Sequence, residues 1–165
     1  METNNQRKTP TVLVPYDFGP KAKTALQEAI KVADFIKGQI YLLSVLQASN
    51  FFTELFKSEK QQREERRHVE NKLKEVILET RKTYHGNIRY IVEHGSPAEV
   101  ILEQAQIRNA QYIIMGKMSS TVSAFHFIGP LTMHIIASAP CPAITGSENS
   151  IENGRVDNIH MTTDL

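Results

Sequence analysis

Short apolar runs alternate along this chain with stretches in which apolar residues recur at helical spacing. The runs at 11–16 (TVLVPY), 40–46 (IYLLSVL), 87–93 (NIRYIVE), 111–115 (QYIIM) and 141–145 (CPAIT) have the length and composition of buried strands. Strands that alternate with helices pair in parallel through right-handed crossovers. The pattern therefore predicts an α/β fold, with an open five-stranded parallel sheet covered by helices on both faces.

Four helices are predicted between and after these strands. Gly38 and Gly86 mark two of their ends. Before the third helix, Ser96 is placed to cap, Pro97 to take the first helical position and Glu99 to close a capping box. The apolar faces of the four helices are Ala22, Ala25, Leu26, Ala29, Ala33 and Ile36; Leu73, Val76, Ile77, Thr80 and Tyr84, from Val69 onward; Ala98, Ile101, Leu102 and Ala105; and Leu131, Ile135, Ile136 and Ala139.

The periodic part of the chain ends before its polar C-terminal stretch. We expect one folded domain over residues 10–145, a flexible N-terminus over 1–9 and a flexible tail over 146–165, which is rich in Gly, Asn and Ser. Before the second helix, residues 50–56 (NFFTELF) concentrate apolar bulk in a connection. They are expected to pack on the domain or on a dimer partner, and the alternative is a lid over a cleft.

Composition excludes several classes of protein. Hydrophobic residues make up 41% and charged residues 22% of the chain, as in a globular domain. Its net charge of +1 is too small for binding along a phosphate backbone, so no nucleic-acid partner is expected. No apolar run approaches the roughly 20 residues that span a bilayer, and no signal peptide is evident, so a cytoplasmic protein without a membrane partner is predicted. Its one cysteine, Cys141, is interpreted as structural, with a reactive thiol as the alternative.

Charged and histidine residues show no catalytic or metal-binding pattern. Residues 57–82 contain nine basic and six acidic side chains, intermixed, and are interpreted as the exposed face of a long helix. The six histidines lack the spacing of a zinc site. No nucleophile elbow, carboxylate pair or phosphate-loop lysine is evident, so an enzyme is not predicted.

Ligands of open parallel sheets bind beyond the carboxyl ends of the strands, where the strand order reverses. The residues that follow the strands are therefore the candidate site: Asp17 after the first strand, Val45 near the end of the second, and residues 116–129 after the fourth. For Asp17 the alternative is a turn-forming carboxylate that binds its own backbone. For Val45, and for Met115 beside Gly116, the alternative is core packing at a strand end.

Four segments are informative together: VLVPYDF, IYLLSVL, HGSPAEVI and MGKMSSTVSAFHFIGPLTMHIIASAPCPAI, of which the last is the most specific. They resemble the universal stress protein family over about residues 10–145. The resemblance implies strand order 3-2-1-4-5 and a homodimer formed through the last strand. In the family's nucleotide-binding branch, it implies ATP between the ends of strands one and four. A Mg²⁺ ion can arrive with such a nucleotide, since that ion needs only one or two carboxylates together with phosphates.

That branch carries a glycine motif, which this chain keeps only in part. Gly116 and Gly129 hold the first and third glycine positions, whereas Ser119 replaces the second and Pro130 replaces the hydroxyl residue that follows the third. Glycines in such a loop let backbone N–H groups approach phosphate oxygens. Ser119 adds a side chain that crowds the loop or donates its hydroxyl, and Pro130 removes both an N–H and a hydroxyl.

The resemblance assigns the remaining contacts residue by residue. Asp17 corresponds to the aspartate that contacts the adenosine part, and Val45 to the position whose backbone meets adenine. Met115 lines the same crevice. Two basic residues of the loop, Lys117 and His126, offer charge to phosphate, with a solvated loop position as the alternative for each. The expected binding set is Pro15, Asp17, Val45, Met115, Gly116, Lys117, Ser119, Gly129, Pro130 and Leu131.

Three functions remain open on the sequence. The first is a homodimeric stress-response module that regulates by binding an adenine nucleotide. The second is a nucleotide-blind dimeric interaction protein, which the substitutions Ser119 and Pro130 favour. The third is a weak ATPase or nucleotidyl-transfer enzyme, by analogy with other adenine-binding folds.

Overall fold

A computed structural model describes residues 8–47, 57–116 and 129–146, which form a five-stranded parallel sheet with helices on both faces. The strand order is β3-β2-β1-β4-β5, as predicted. The elements in chain order are β1 (Thr11–Pro15), α1 (Pro20–Ile36), β2 (Gln39–Leu46), α2 (Glu59–Thr80), β3 (Asn87–His94), α3 (Pro97–Ile107), β4 (Ala110–Gly116), α4 (Pro130–Ser138) and β5 (Ala143–Gly146).

The central strands are apolar throughout because both of their faces are covered. In β2, Ile40 and Leu42 pack in the cluster under α1 and α2, whereas Tyr41 and Leu43 pack in the cluster under α3 and α4. Successive side chains of a strand point to opposite faces, so one continuous apolar run supplies both cores. Each fully buried aliphatic side chain contributes about 1.5–3 kcal/mol to folding.

Helix α2 begins ten residues before the position at which apolar periodicity predicts it. Its first turns are almost entirely charged, so the sequence pattern marks the helix only from Val69. The start is stabilised by a capping box: the Ser58 hydroxyl accepts a hydrogen bond from the Gln61 N–H at 3.3 Å, and Gln61 Oε1 accepts one from the Ser58 N–H at 2.9 Å. The expectation that residues 57–82 form the exposed face of a long helix agrees with this extent.

Tyr84 lies beyond the end of α2, so its predicted place on the face of that helix is wrong. The helix ends at Thr80, and the Tyr84 side chain is buried in the core under α1 and α2. The phenol lies so close to Gly86 that a Cβ at that position would overlap the ring. Gly86 is therefore needed for this close approach and not to end the helix.

The capping box predicted for α3 is also wrong. Ser96 does occupy the N-cap position, but its side chain makes no capping hydrogen bond. Pro97 takes the first helical position as predicted, and it fixes φ while removing one of the unpaired donors, so the start depends less on a side-chain cap. Glu99 lies in the first turn, where its negative charge interacts favourably with the positive end of the helix dipole.

Near the C-terminal end of the described chain the boundaries shift slightly. Ala139 caps α4 and does not belong to it, and β5 begins at Ala143, two residues later than predicted. Cys141 is half-buried between these elements, and burial raises the pKa of its thiol to about 11. A thiol with so high a pKa is almost wholly protonated near neutral pH, in agreement with a structural cysteine.

Two further expectations concern membrane-spanning helices and the apolar connection before α2. Within the described ranges, no helix is long and apolar enough to cross a membrane. The apolar connection at 50–56, for which packing or a lid is expected, lies outside the described residues.

Candidate functional site

A cleft of about 500 Å³ opens at the carboxyl ends of β1, β2 and β4. It lies where the strand order reverses, because β1 is flanked by β2 on one side and by β4 on the other. Six of the ten residues expected to bind a ligand line this cleft: Pro15, Asp17, Val45, Met115, Gly116 and Leu131. The structure thus brings together residues that are up to 116 positions apart in the chain.

The other four expected residues fall into two groups. Gly129 and Pro130 are described but are not among the residues that line the cleft. Lys117 and Ser119 lie outside the described residues, as does His126.

Asp17 closes the turn that follows β1. Its Oδ1 accepts a hydrogen bond from the Gly19 N–H at 2.9 Å, which is the turn-forming role considered as its alternative. The side chain is exposed and lines the cleft, and Oδ2 has no hydrogen-bond partner among the described residues. The turn therefore occupies one carboxylate oxygen and leaves the other to face a ligand.

Phe18 adopts a strained backbone conformation beside Asp17. Its φ of 67° lies in the left-handed region, which bulky residues rarely adopt. The ring packs edge-on against Tyr16, with 5.4 Å between the centroids, and Lys72 Nζ of α2 lies 5.4 Å from the centre of the Phe18 ring. These contacts hold the backbone in place and tie the turn at the cleft to α2.

Buried polar groups fix the wall formed by β1 and β2. The Tyr16 N–H donates to the Leu43 carbonyl at 2.8 Å, and the Ser44 hydroxyl donates to the Tyr16 carbonyl. Burial, and then the neighbouring negative charge of Asp17, raises the pKa of Tyr16 above its usual value. These hydrogen bonds hold the end of β1 in place next to the cleft. The phenol of Tyr16 stays neutral near neutral pH.

Gly116 ends β4 against the first turn of α1. A Cβ at position 116 would lie 2.5 Å from the Lys21 carbonyl carbon and closer still to its oxygen. No side chain fits there, so this glycine has a packing role that the sequence motif alone does not reveal. Lys21 is itself among the residues that line the cleft, and it is the one cation of the described lining.

Helix α4 presents its N-terminus at the same end of the sheet. Gly129 is its N-cap with φ −64° and ψ 157°, angles that any residue adopts, and Pro130 takes the first helical position with an exposed side chain. Leu131 and Thr132 of the first turn line the cleft. Their N–H groups belong to the unpaired donors of a helix start.

Thr132 is the residue that the sequence reasoning missed. The family motif directs attention to position 130, where proline has replaced the hydroxyl residue, and the search stopped there. A hydroxyl is present two residues later, at a position that lines the cleft. A wider search for hydroxyl residues in the first turn of the predicted helix would have found it.

The polar lining suits an anion that carries an apolar or aromatic part. Lys21, the Thr132 hydroxyl and the first-turn N–H groups of α4 are donors, and Pro15, Val45 and Met115 are apolar. Among the described residues, no group of three or more His, Cys, Asp or Glu side chains is placed to hold a metal ion. Asp17 is the one carboxylate in the described lining.

Solved structures with this architecture come from several organisms. The universal stress protein UspA from Lactobacillus plantarum is 22% identical, with a TM-score of 0.69 over 85% of this chain and 99% of that one. A universal stress protein in complex with cAMP is 13% identical, with a TM-score of 0.59 over 84% of this chain and 96% of that one. A universal stress protein family protein from Arabidopsis thaliana with AMP bound is 16% identical, with a TM-score of 0.54 over 87% and 94%. At these identities the likeness establishes the fold.

A search of the curated proteins finds no match in sequence. The model of the universal stress protein family matches residues 8–145, which include every helix and nearly every strand residue described above. The chain therefore belongs to the universal stress protein family.

Proposed function

We propose that this protein is a regulatory module that binds an adenine nucleotide of the ATP class in the cleft between β1 and β4. The observation that carries the proposal is that residues able to donate line one cleft beside apolar strand ends: Lys21 from α1, and Thr132 with the first turn of α4. Structures of the same fold are known with AMP and with cAMP bound, which supports an adenine nucleotide as the ligand class.

The nucleotide lies with its base against Val45 and Met115 and its ribose near Asp17. Both apolar side chains are at strand ends, and the free Oδ2 of Asp17 is an acceptor for a ribose hydroxyl. The phosphates then point to the start of α4, where the helix dipole and unpaired N–H groups favour negative charge. Gly129, Pro130, Lys117 and Ser119 flank the phosphates in this arrangement.

Mg²⁺ enters the cleft with the phosphates and has no dedicated protein cage. Its ligands would be phosphate oxygens and water, because the one carboxylate of the described lining, Asp17, serves the turn and the ribose in this arrangement. The protein itself supplies no pair of acid and base groups placed for hydrolysis in the described cleft. We therefore propose a binding role and not an enzymatic one.

A thermal-shift titration tests the proposal on the full chain. Mg²⁺–ATP at millimolar concentration is expected to raise the melting temperature, because a ligand that binds only the folded state stabilises it. Pro130→Ser restores the N–H and the hydroxyl of the family motif and is expected to increase the shift. Inorganic sulfate at equal ionic strength is the control. No shift with either protein would remove the nucleotide from the proposal.

A nucleotide-blind interaction protein is the second candidate, and Pro130 favours it. Proline at the first helical position removes one phosphate donor at the start of α4. In either case we propose a cytoplasmic homodimer formed through the outer edge of β5, a strand that ends the sheet. Sedimentation of the wild type and of an Ile144→Pro variant measures this, with a monomeric variant as the expected result.

A further inference from the structure

Helix α2 carries a row of cations on its exposed surface. Lys60, Arg67, Lys74 and Arg81 are spaced seven residues apart, and all four are exposed. Seven residues make nearly two full turns, so these side chains lie along one face of the helix. We call them the cationic row; it extends for about 30 Å along the helix axis.

The cationic row differs in its pairing from several cations beside it. No ion pair between described residues includes a member of the row, whereas Arg63 and Arg66 of α2, and Lys82 just beyond its end, are paired with carboxylates. Those neighbouring pairs are Arg63 with Glu59 at 3.2 Å, Arg66 with Glu70 at 3.2 Å and Lys82 with Glu79 at 2.5 Å. The positive charge of the row is therefore available to a partner.

The C-terminal half of the row borders a groove between α2 and β3. Lys74 and Arg81 line this groove from the helix, and Arg89 lines it from the strand. Its volume is about 460 Å³, and the rest of its lining is Ile77, Leu78, Ile88 and Tyr90. On β3, Arg89 alternates with Ile88 and Tyr90, which pack towards α2, so its side chain points to the other face of the sheet, where Nε donates to Asn87 Oδ1 at 3.4 Å. The helix side of the described lining therefore carries two cations, Lys74 and Arg81, and no carboxylate, and it favours negative charge.

Leu78 is an unusual residue for a solvated helix face. Its side chain is 64% exposed, and it lies between Lys74 and Arg81 on the wall of the groove. Burying an exposed leucine against a partner is favourable. The groove thus offers an apolar contact framed by positive charge.

Strand β3 supplies a hydrogen-bonding edge along the same groove. It ends the sheet and pairs with β2 over its whole length, from Asn87 to His94. Within the described part of the chain no strand lies on its other side. The outward N–H and C=O groups of alternate residues are therefore open to an added strand.

We propose that this groove binds an extended acidic segment of a partner protein as a sixth strand on β3. The added backbone pairs with the outer edge of β3, carboxylates of the segment face Lys74 and Arg81, and one large apolar side chain packs on Leu78. Neither the backbone pairing nor the side-chain contacts depend on a nucleotide in the cleft at the carboxyl ends of the strands.

Charge distinguishes this occupant from a second copy of the chain. Two copies joined through this edge would bring two sets of unpaired cations together, and like charges that face each other disfavour the contact. A nucleic acid is disfavoured by the net charge of +1 and by the apolar floor of the groove. An acidic peptide satisfies the cations, the apolar wall and the strand edge together.

Fluorescence anisotropy with the full chain and a fluorescein-labelled peptide EVEVLVEVEV, whose leucine and glutamates share one face of a strand, tests the proposal at about 50 mM salt, where exposed charges are weakly screened. The double variant Lys74→Glu with Arg81→Glu is expected to weaken binding about tenfold, since two attractive contacts become repulsive. The matched control, Lys60→Glu with Arg67→Glu, makes the same change of net charge at exposed residues of the same helix that do not line the groove, and it is expected to change affinity less than about twofold.

Backbone pairing is tested with N-methylated peptides. Methyl groups on one alternating set of residues are expected to abolish binding, and methyl groups on the other set to leave it unchanged, because only alternate N–H groups face β3. A peptide with Lys in place of every Glu is expected not to bind.

Four results would overturn the proposal. Equal weakening by both double variants would reduce the effect to net charge, and equal binding of both N-methylated peptides would exclude strand addition. An oligothymidylate that binds more tightly, with the same loss in the groove variant, would make the groove a nucleic-acid site. A truncation after Gly146 that strengthens peptide binding about tenfold would show that the chain's own C-terminal segment occupies the groove.

Discussion

Gly116 at the end of β4 and Lys21 in the first turn of α1 approach so closely that no side chain fits at position 116. The contact joins the two elements that form one side of the candidate cleft, and Lys21 also lines that cleft. A glycine that a family motif assigns to the phosphate loop therefore also sets the distance between a strand and a helix.

Gly116→Ala is expected to lower the free energy of unfolding by about 1–3 kcal/mol, since the new Cβ overlaps backbone atoms that cannot rotate away. Urea denaturation of the purified protein measures the loss. Adding Lys21→Ala should not restore stability, because the overlap involves the Lys21 carbonyl and not only its side chain. An alanine variant as stable as the wild type would show that the two elements separate readily.

Asp17 variants distinguish the turn from the ligand. Asp17→Asn keeps an oxygen that accepts from the Gly19 N–H, so we expect its stability to match the wild type. Asp17→Ala loses that hydrogen bond and should lower the free energy of unfolding by about 0.5–1.5 kcal/mol. Thermal melts of the three proteins compare them. Equal melting temperatures for all three would mean that the turn does not depend on this side chain.

The contact of Lys72 with Phe18 is expected to stabilise the strained turn. In a double-mutant cycle with Phe18→Leu and Lys72→Met, we predict a coupling energy of about 0.5–1 kcal/mol, as for a partly exposed cation–π pair. Denaturant unfolding of the four proteins gives the coupling. Strictly additive effects would show that the ammonium group and the ring do not interact in solution.

Cys141 should make stability fall in alkaline solution. Burial raises the folded-state pKa of its thiol from 9.0 to about 11, so the folded state holds the proton more tightly than the unfolded state. The resulting stabilisation is complete below about pH 9 and is lost as the pH rises towards 11. Tyr16 and Tyr84, whose pKa values are also raised by burial, add a loss of the same sign at higher pH.

The Cys141→Ala variant isolates the contribution of the thiol. Its stability should fall less than that of the wild type between pH 9 and 11, when both are unfolded in urea at a series of pH values. The native thiol should also react slowly with a disulfide reagent at pH 8. Parallel stability curves, together with rapid labelling of the folded protein, would contradict a buried, protonated thiol.

Much of the fold could be predicted because apolar patterning and burial agree in this chain. The continuous run at β2 predicted a strand covered on both faces, and Ile40 and Tyr41 do pack in opposite cores. The first ten residues of α2 could not be predicted from apolar periodicity, because capping and ion pairs hold them and not burial. Tyr84 was misplaced for the converse reason, since a buried residue at helical spacing can lie outside a helix.

The candidate site could be predicted in place but not in detail. Topology directs attention to the ends of β1, β2 and β4, and the cleft opens there. The close approach of Gly116 to Lys21 depends on how a strand and a helix far apart in sequence pack, which no local pattern encodes. Thr132 was missed because its relevance depends on the rotation of α4 about its axis.

Calorimetric titration of the full chain with Mg²⁺–ATP tests the central claim most directly. We predict saturable binding. Thr132→Val is expected to weaken it about tenfold, because a hydroxyl donor to phosphate is lost. Lys21→Met is expected to weaken it about three- to tenfold, because a charge-assisted donor to phosphate is lost. The control, Met133→Ala, alters an exposed residue of α4 that does not line the cleft and should leave affinity unchanged. Absence of binding heat at millimolar ATP, or binding that neither cleft variant weakens, would contradict the account.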